Sequence, residues 1–195
     1  MKDVERELFE QYGPVCGVDE AGRGPLAGPV FAAAVILPQG LEIVGLDDSK
    51  KLSAKKREAL FDIICEKAVC FAVASASERE IDEINILNAT FLAMNRAISG
   101  LSQKPGLALI DGNRSGGIEL ENRTVVGGDG IYSCIAAASV LTKVSRDRYM
   151  CRMAEKYPGY AFEKHKGYGT KLHYEKLREL GPSEIHRRTF LKKLH

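Results

Sequence analysis

No stretch of this 195-residue chain approaches 18 consecutive apolar residues, so no segment is expected to cross a membrane as a helix. Nor does the start, Met1-Lys2-Asp3-Val4-Glu5-Arg6-Glu7, hold the apolar core of a secretory signal, which makes the cytoplasm the expected location. Cysteine is scarce: Cys16, Cys65, Cys70, Cys134 and Cys151 are odd in number and form no Cys-x-x-Cys pair. That excludes a disulfide framework, and their mostly apolar neighbours read as those of buried free thiols in a reducing compartment. Repeats, low-complexity tracts and long linkers are also missing, so one domain over 1–195 is expected, of a size that buries a substantial core.

A net charge of +2 hides a polarity. Residues 1–140 carry 14 Lys and Arg against 20 Asp and Glu, a net of −6, whereas 141–195 carry 14 against 6, a net of +8, together with all four histidines. Basic residues following acidic motifs suit a metal-dependent enzyme of nucleic acid, although scattered surface charge gives the same totals. Residues from about 160 to 195 read as a basic helical C-terminal extension of the domain.

The richest segment is Asp19-Glu20-Ala21-Gly22-Arg23-Gly24-Pro25-Leu26-Ala27-Gly28-Pro29, between apolar runs at Val15–Val18 and Val30–Leu37. The runs read as an antiparallel strand pair, and the glycines around Arg23 let backbone approach a ligand closely. Further strands are expected at Val69–Ser75, Leu107–Ile110 and Thr124–Val126. Ser53 caps a helix to about Lys67, and Ser77 with Glu80 has the capping-box spacing for a helix to Ile98, broken near Asn85–Asn88 and stopped at Gly100. Helices are also expected from Ile131 to about Tyr157 and from Thr170 to Leu180. This order predicts an α/β fold with a mixed sheet.

Three strand ends then finish in acids: Asp19-Glu20, Asp111 and Asp129. If the strands are neighbours, four carboxylates converge, and their repulsion makes sense only with cations between them. An all-oxygen donor set points to Mg²⁺ or Mn²⁺, and a pair of ions would suit phosphodiester hydrolysis. Successive strand residues face opposite sides, so the pleat is expected to break at Glu20 for both acids to point inward. Asp147 lies 18 residues past Asp129, mostly along one helix at roughly 1.5 Å per residue, too far to share an ion. Arg146-Asp147-Arg148 therefore reads as a surface or interelement charge cluster, and Asp47, Asp48, Glu119 and Glu121 as solvated or capping groups. Ser49-Lys50-Lys51 precedes a helix, where phosphate is readily bound. In His165-Lys166-Gly167-Tyr168-Gly169, a tyrosine between glycines is suited to stack on a sugar or base. Arg187-Arg188 reads as a further phosphate contact or as a solubilising pair.

These segments resemble bacterial type 2 ribonuclease H, ribonuclease HII. Val18–Pro29 resembles the family signature, and Asp48-Ser49-Lys50-Lys51-Leu52, Ile110-Asp111-Gly112-Asn113, Gly128-Asp129 with Ile135-Ala136-Ala137-Ala138-Ser139, His165–Thr170, and Gly181-Pro182-Ser183 with His186-Arg187-Arg188 follow in order. The resemblance, from about residue 13 to 190, implies a ribonuclease H-like fold: a mixed five-stranded sheet flanked by helices, with a helical C-terminal part. It implies endonucleolytic cleavage of RNA in RNA–DNA hybrids and incision 5′ of single ribonucleotides in duplex DNA, leaving 3′-hydroxyl and 5′-phosphate ends. The family's four metal-binding catalytic acids map onto Asp19, Glu20, Asp111 and Asp129, its 2′-hydroxyl-reading loop onto Gly22, Arg23 and Gly24, and its junction-sensing tyrosine onto Tyr168. Lys50, Lys166, Arg187 and Arg188 are the expected remaining substrate contacts. Mn²⁺ or Mg²⁺, two ions per site with substrate bound, and a monomeric enzyme are expected, with no sliding-clamp motif of the kind some relatives carry. Two departures, the bulky Gly130-Ile131-Tyr132-Ser133-Cys134 and Thr142 where alanine is common, bear on rate or metal preference. Two rivals stay open: a two-metal nuclease or strand-transfer enzyme acting on DNA alone, which would not need the Gly22–Gly24 clamp, and a silent hybrid-binding module, in which an acid would normally be lost.

Overall fold

Seven apolar residues in succession, Val30–Ile36, form the strand shared by both layers of the molecule, because a strand covered on both faces needs no polar alternation. The computed structural model describes residues 2–46 and 52–192; the expectations for Asp47, Asp48 and Ser49-Lys50-Lys51 lie outside the described residues. In chain order the main elements are α1 (Lys2–Tyr12), β1 (Val15–Ala21), β2 (Val30–Ile36), α2 (Ala54–Lys67), β3 (Cys70–Ala76), α3 (Glu78–Ser99), β4 (Leu107–Asp111), β5 (Asn122–Val125), α4 (Ser133–Lys156), α5 (Phe162–His165) and α6 (Lys171–Leu180). The sheet order is β3-β2-β1-β4-β5, with β1–β2 and β2–β3 antiparallel and β1–β4 and β4–β5 parallel. This is the expected mixed five-stranded sheet. Helix α1 was not foreseen; Leu8 seats it against β4 and the start of α4.

The two-residue period of β2 sorts its side chains. Ala32, Ala34 and Ile36 pack with Ala89, Ala93, Met94 and Ala97 of α3, while Ala33 and Val35 pack with α2 and α4. Small residues on β2 let both helix layers approach closely. Gly17 of β1 does the same for the start of α4, since a Cβ there would stand 2.2 Å from the carbonyl carbon of Cys134. Helix α4 is thereby laid across β1, the strand that carries Asp19 and Glu20.

Local signals placed most boundaries. Ser53 caps α2 by accepting from the Lys56 N–H, and the Ser77–Glu80 capping box is made in both directions. The interruption of α3 falls at Asn85, at φ +67°, whose side-chain oxygen accepts from the N–H groups of Leu87 and Asn88. One expectation is corrected: Cys151 is exposed on the outer side of α4 and Cys65 is half-buried, so only Cys16, Cys70 and Cys134 are buried thiols.

Candidate active site

Asp19, Glu20 and Asp111 line one cleft of about 550 Å³, together with Ala21–Gly24, Arg57, Ser139, Lys143 and Tyr168. The pleat does not break at Glu20, contrary to expectation: β1 pairs with β2 regularly through Ala21. The opening lies on the other edge. Pairing of β1 with β4 ends at Val18–Ile110, so the last residues of β1 run past the end of β4. Asp19, in phase with Gly17, faces α4, and Glu20 faces the α3 side, yet both reach the cleft around this unpaired edge.

Asp19 is buried, accepts from the Glu20 N–H at 2.7 Å, and has its carboxyl pushed up to about 7, chiefly by burial and then by the charge of Glu20. A hydrogen bond from Ser139 opposes that rise, and the charge of Asp111 adds to it. Glu20 is also raised by burial, against the pull of Arg23, whose guanidinium lies 3.3 Å away. Thr142, one of the departures from the family pattern, is fully buried and donates to the carbonyls of Ala138 at 2.7 Å and Asp19 at 3.2 Å. It therefore ties the Asp19 backbone to α4.

Asp129 stands slightly apart. It is buried on a 3₁₀ turn, Gly128–Gly130, between β5 and α4, rather than at a strand end, and it does not line the cleft. The turn is joined to the site by the Gly128 N–H, which donates to Asp111 at 2.8 Å. Among the described residues no group of three or more His, Cys, Asp or Glu is already placed to hold a metal ion. The donor chemistry nevertheless fits a hard cation: the carboxylates are oxygen donors, and burial and mutual repulsion burden Asp19 and Glu20 in a way that a bound cation relieves.

The glycine loop is held from within by two buried arginines. Arg187 donates to the carbonyls of Gly22, Arg23 and Gly28. Arg146 donates to the carbonyls of Ala27, Pro29 and Lys166. Arg187 is fully buried with its donors spent on backbone, so it shapes the loop and does not meet phosphate. Of the two readings left open for Arg146, surface or interelement, the structure gives the second, since it lies inside and bonds to other segments, while its neighbour Asp147 pairs with Lys143 at 2.8 Å. Burial holds both guanidiniums below their usual range, Arg187 to about 9. Carbonyl acceptors make such burial tolerable. Gly22, at φ +96°, faces this brace directly, since a Cβ there would stand 2.1 Å from Arg146 Nε. Gly22→Ala is expected to cost about 1–3 kcal/mol of stability and to lower activity further by displacing the loop. Chemical denaturation of the variant beside its activity measures both.

Tyr168 is 42% exposed in the same cleft, with Gly24 beside its ring edge and Lys143 Nζ and Arg146 Cζ 6.0 and 5.7 Å from its centroid. Lys166 lies round the corner: its ammonium meets Cys151 Sγ at 3.2 Å and the side chain lines a neighbouring groove with Arg148 and Arg152. Arg188 is exposed on the 3₁₀ turn Arg188–Phe190, whose backbone N–H groups at 188 and 189 dock on Asp82 of α3. Neither residue lines the acidic cleft.

The description "Ribonuclease HII" belongs to the family model that matches residues 16–193. A curated ribonuclease HII of Burkholderia mallei (strain SAVP1) is 58% identical over 176 residues, covering 90% of this chain and 82% of that protein. The chain belongs to the ribonuclease HII family. It is a ribonuclease H, a hydrolase. The fold agrees: the ribonuclease H2 of Pyrococcus horikoshii OT3 superposes with a TM-score of 0.74 at 28% identity, covering 90% of this chain and 92% of that one. The ribonuclease HII of Archaeoglobus fulgidus, solved in a complex with PCNA, gives 0.73 at 26% identity over 90% and 94% of the two chains.

In this ribonuclease HII family member, Lys143 of α4 and Arg57 of α2 also line the cleft, and the sequence reading singled out neither. Ser139, Thr142, Lys143 and Arg146 share one face of α4, at the spacing of successive helical turns. That polar stripe, which begins in the apolar first half of the helix, was the available signal for Lys143. Arg57 of α2 had none, since nothing local tells a cleft arginine from a solvated one.

Proposed function

We propose that this ribonuclease HII family chain, acting as a monomeric single domain in the cytoplasm, cleaves RNA in RNA–DNA hybrids. On the same reading it incises 5′ of single ribonucleotides embedded in duplex DNA, leaving 3′-hydroxyl and 5′-phosphate ends. The carrying observation is that acids, glycine clamp and aromatic ring line one cleft. Asp19, Glu20 and Asp111, joined by Asp129 from its turn, would hold two divalent ions, Mg²⁺ or Mn²⁺, with substrate bound. When bound, these ions supply an activated water and stabilisation of the leaving oxygen.

The Gly22–Gly24 backbone offers groups to the ribose 2′-hydroxyl, the feature that separates RNA from DNA at one position. It reads sugar and leaves the base free, which suits a ribonucleotide of any sequence. Tyr168 stacks on the sugar that follows. Arg23, Lys50, Lys166 and Arg188 contact phosphates on the duplex, and each true contact contributes roughly 0.9 to the salt slope of binding. Arg23→Gln is expected to lower that slope by about one, read from binding titrations across a salt series. An unchanged slope in any of the four variants returns that residue to the solvated surface.

The deciding assay is incubation with duplex DNA carrying one ribonucleotide, with Mg²⁺ and with Mn²⁺, followed by mapping of the cut. A single cut on the 5′ side is expected. Equal cleavage of an all-DNA duplex would favour the DNA-nuclease alternative.

A further inference from the structure

We propose that His173 and His186 form a neutral imidazole relay that positions Tyr168 against the glycine clamp, making both histidines specificity-positioning residues for an RNA-to-DNA junction. The inference rests on the reading of Tyr168 given above.

Proton counting carries it. The Ser183 N–H lies 2.9 Å from His186 Nδ1 and can only donate, so that nitrogen is the acceptor. The one proton of a neutral His186 therefore sits on Nε2, which faces His173 Nε2 at 3.0 Å. His173 must accept there and carry its own proton on Nδ1, 3.0 Å from the Tyr168 carbonyl, which can only accept. Every link has one donor and one acceptor, and the direction runs from Ser183 to Tyr168. A second proton on His173 would set two N–H groups against each other; one on His186 would face the Ser183 N–H. Burial keeps both rings neutral, His173 at about 4 and His186 at about 3, with neighbouring imidazoles adding to the effect.

The two ends of the relay explain its use. His186 forms a strand bridge with Ala27, and its neighbour Arg187 holds the Gly22, Arg23 and Gly28 carbonyls. At the other end, the Tyr168 carbonyl also accepts from the Thr170 N–H at 2.8 Å, so the tyrosine turn is fixed through its backbone while its ring stays exposed. One relay thus sets the distance between the group that reads a 2′-hydroxyl and the ring that reads the following sugar. Its rings are packed as well: His165 stacks on His173 with centroids 4.2 Å apart, and Phe162 closes the cluster edge-on.

The test uses the full-length enzyme with His173→Phe, His173→Asn, Tyr168→Ala and the double variant His173→Phe with Tyr168→Ala. Each is assayed by kcat/KM on a junction substrate and on a uniform hybrid, and the ratio of the two is read. His173→Phe keeps the packing but loses both bonds, and should lower the ratio about five- to 150-fold, the range of one lost stacking contact. His173→Asn can still donate to the Tyr168 carbonyl but no longer accepts from His186, so it should lower the ratio, though by less than His173→Phe does. Tyr168→Ala should add little in the His173→Phe background, because both changes remove one interaction. Additive losses, or an unchanged ratio in His173→Phe beside a large fall in Tyr168→Ala, overturn the proposal.

Imidazole nitrogen NMR on the unaltered protein separates this from a failure of the functional reading. Near pH 7 it should show Nδ1–H for His173 and Nε2–H for His186, and any other tautomer, or a charged ring, defeats the relay. If Tyr168→Ala leaves the ratio unchanged, the junction reading fails and the specificity role falls with it; the tautomer pattern then reports only whether the relay exists.

Discussion

Asp19→Asn is expected to remove most turnover and, in the same sample without metal, to raise the melting temperature. A charge that organises a phosphodiester transition state is worth several kcal/mol, so activity should fall roughly a hundredfold to several-thousandfold. Stability moves the other way because burial and Glu20 lift the Asp19 carboxyl from an ordinary 3.8 to about 7. Below pH 3.8 the acid is protonated in both folded and unfolded chains and costs nothing. Between 3.8 and about 7 the unfolded chain releases the proton more readily, so stability falls as pH rises, and the full penalty stands above 7. At about 1.4 kcal/mol per unit, relief by the neutral amide has an upper bound of about 4 kcal/mol. The amide oxygen can still accept from the Glu20 N–H, and its NH2 can donate to the Ser139 hydroxyl where the carboxylate accepted. Melting at pH 8 should rise by several degrees, and the gain should vanish near pH 4. Asp111→Asn and Asp129→Asn should lose activity to a similar degree. Retained turnover in any of the three aspartate variants would sink the four-acid assignment.

Tyr168→Ala should slow cleavage at an RNA-to-DNA junction by about five- to 150-fold, the kinetic equivalent of roughly 1–3 kcal/mol of stacking. The ring is exposed beside the Gly24 end of the clamp, so its loss removes a contact with substrate and leaves no cavity in the core. Uniform hybrid should suffer far less, because the sugar after the cut differs and other contacts remain. Tyr168→Phe should keep most activity, since the ring that makes the stacking contact remains and only the hydroxyl is lost. Two substrates differing only in the sugar after the cut ribonucleotide, with one preparation of each variant, measure the effect. Equal losses on both would make Tyr168 a general binding residue, and a large loss in the phenylalanine variant would move the role to the hydroxyl.

Local signals in the sequence were enough for the element order from β1 to α4 and for α6, though not for α1 or the short α5, because each is resolved within a few residues. Ser53 and the Ser77–Glu80 pair mark helix starts by satisfying free backbone N–H groups, and the apolar run Val30–Ile36 declares a strand covered on both faces. The gathering of Asp19, Glu20, Asp111 and the Gly22–Gly24 loop in one cleft was likewise legible, since acids at strand ends are costly without a reason. What needed the tertiary structure was every residue whose role depends on a distant partner. The early end of the β1–β4 ladder at Val18 opens the cleft without any break in the β1 pleat. Sequence leaves Arg146 and Arg187 open to a surface reading, but all the Arg187 acceptors and two of the three Arg146 acceptors are carbonyls more than 100 residues away, and only the folded loop shows that both guanidiniums are satisfied indoors. His173 and His186 have nearer partners, 5, 13 and 3 residues away, yet their proton directions follow only once the tyrosine turn, α6 and the Ser183 loop are folded together. Periodicity and capping are short-range and survive as pattern; hydrogen-bond satisfaction of buried polar groups is long-range, and only the closed fold determines it.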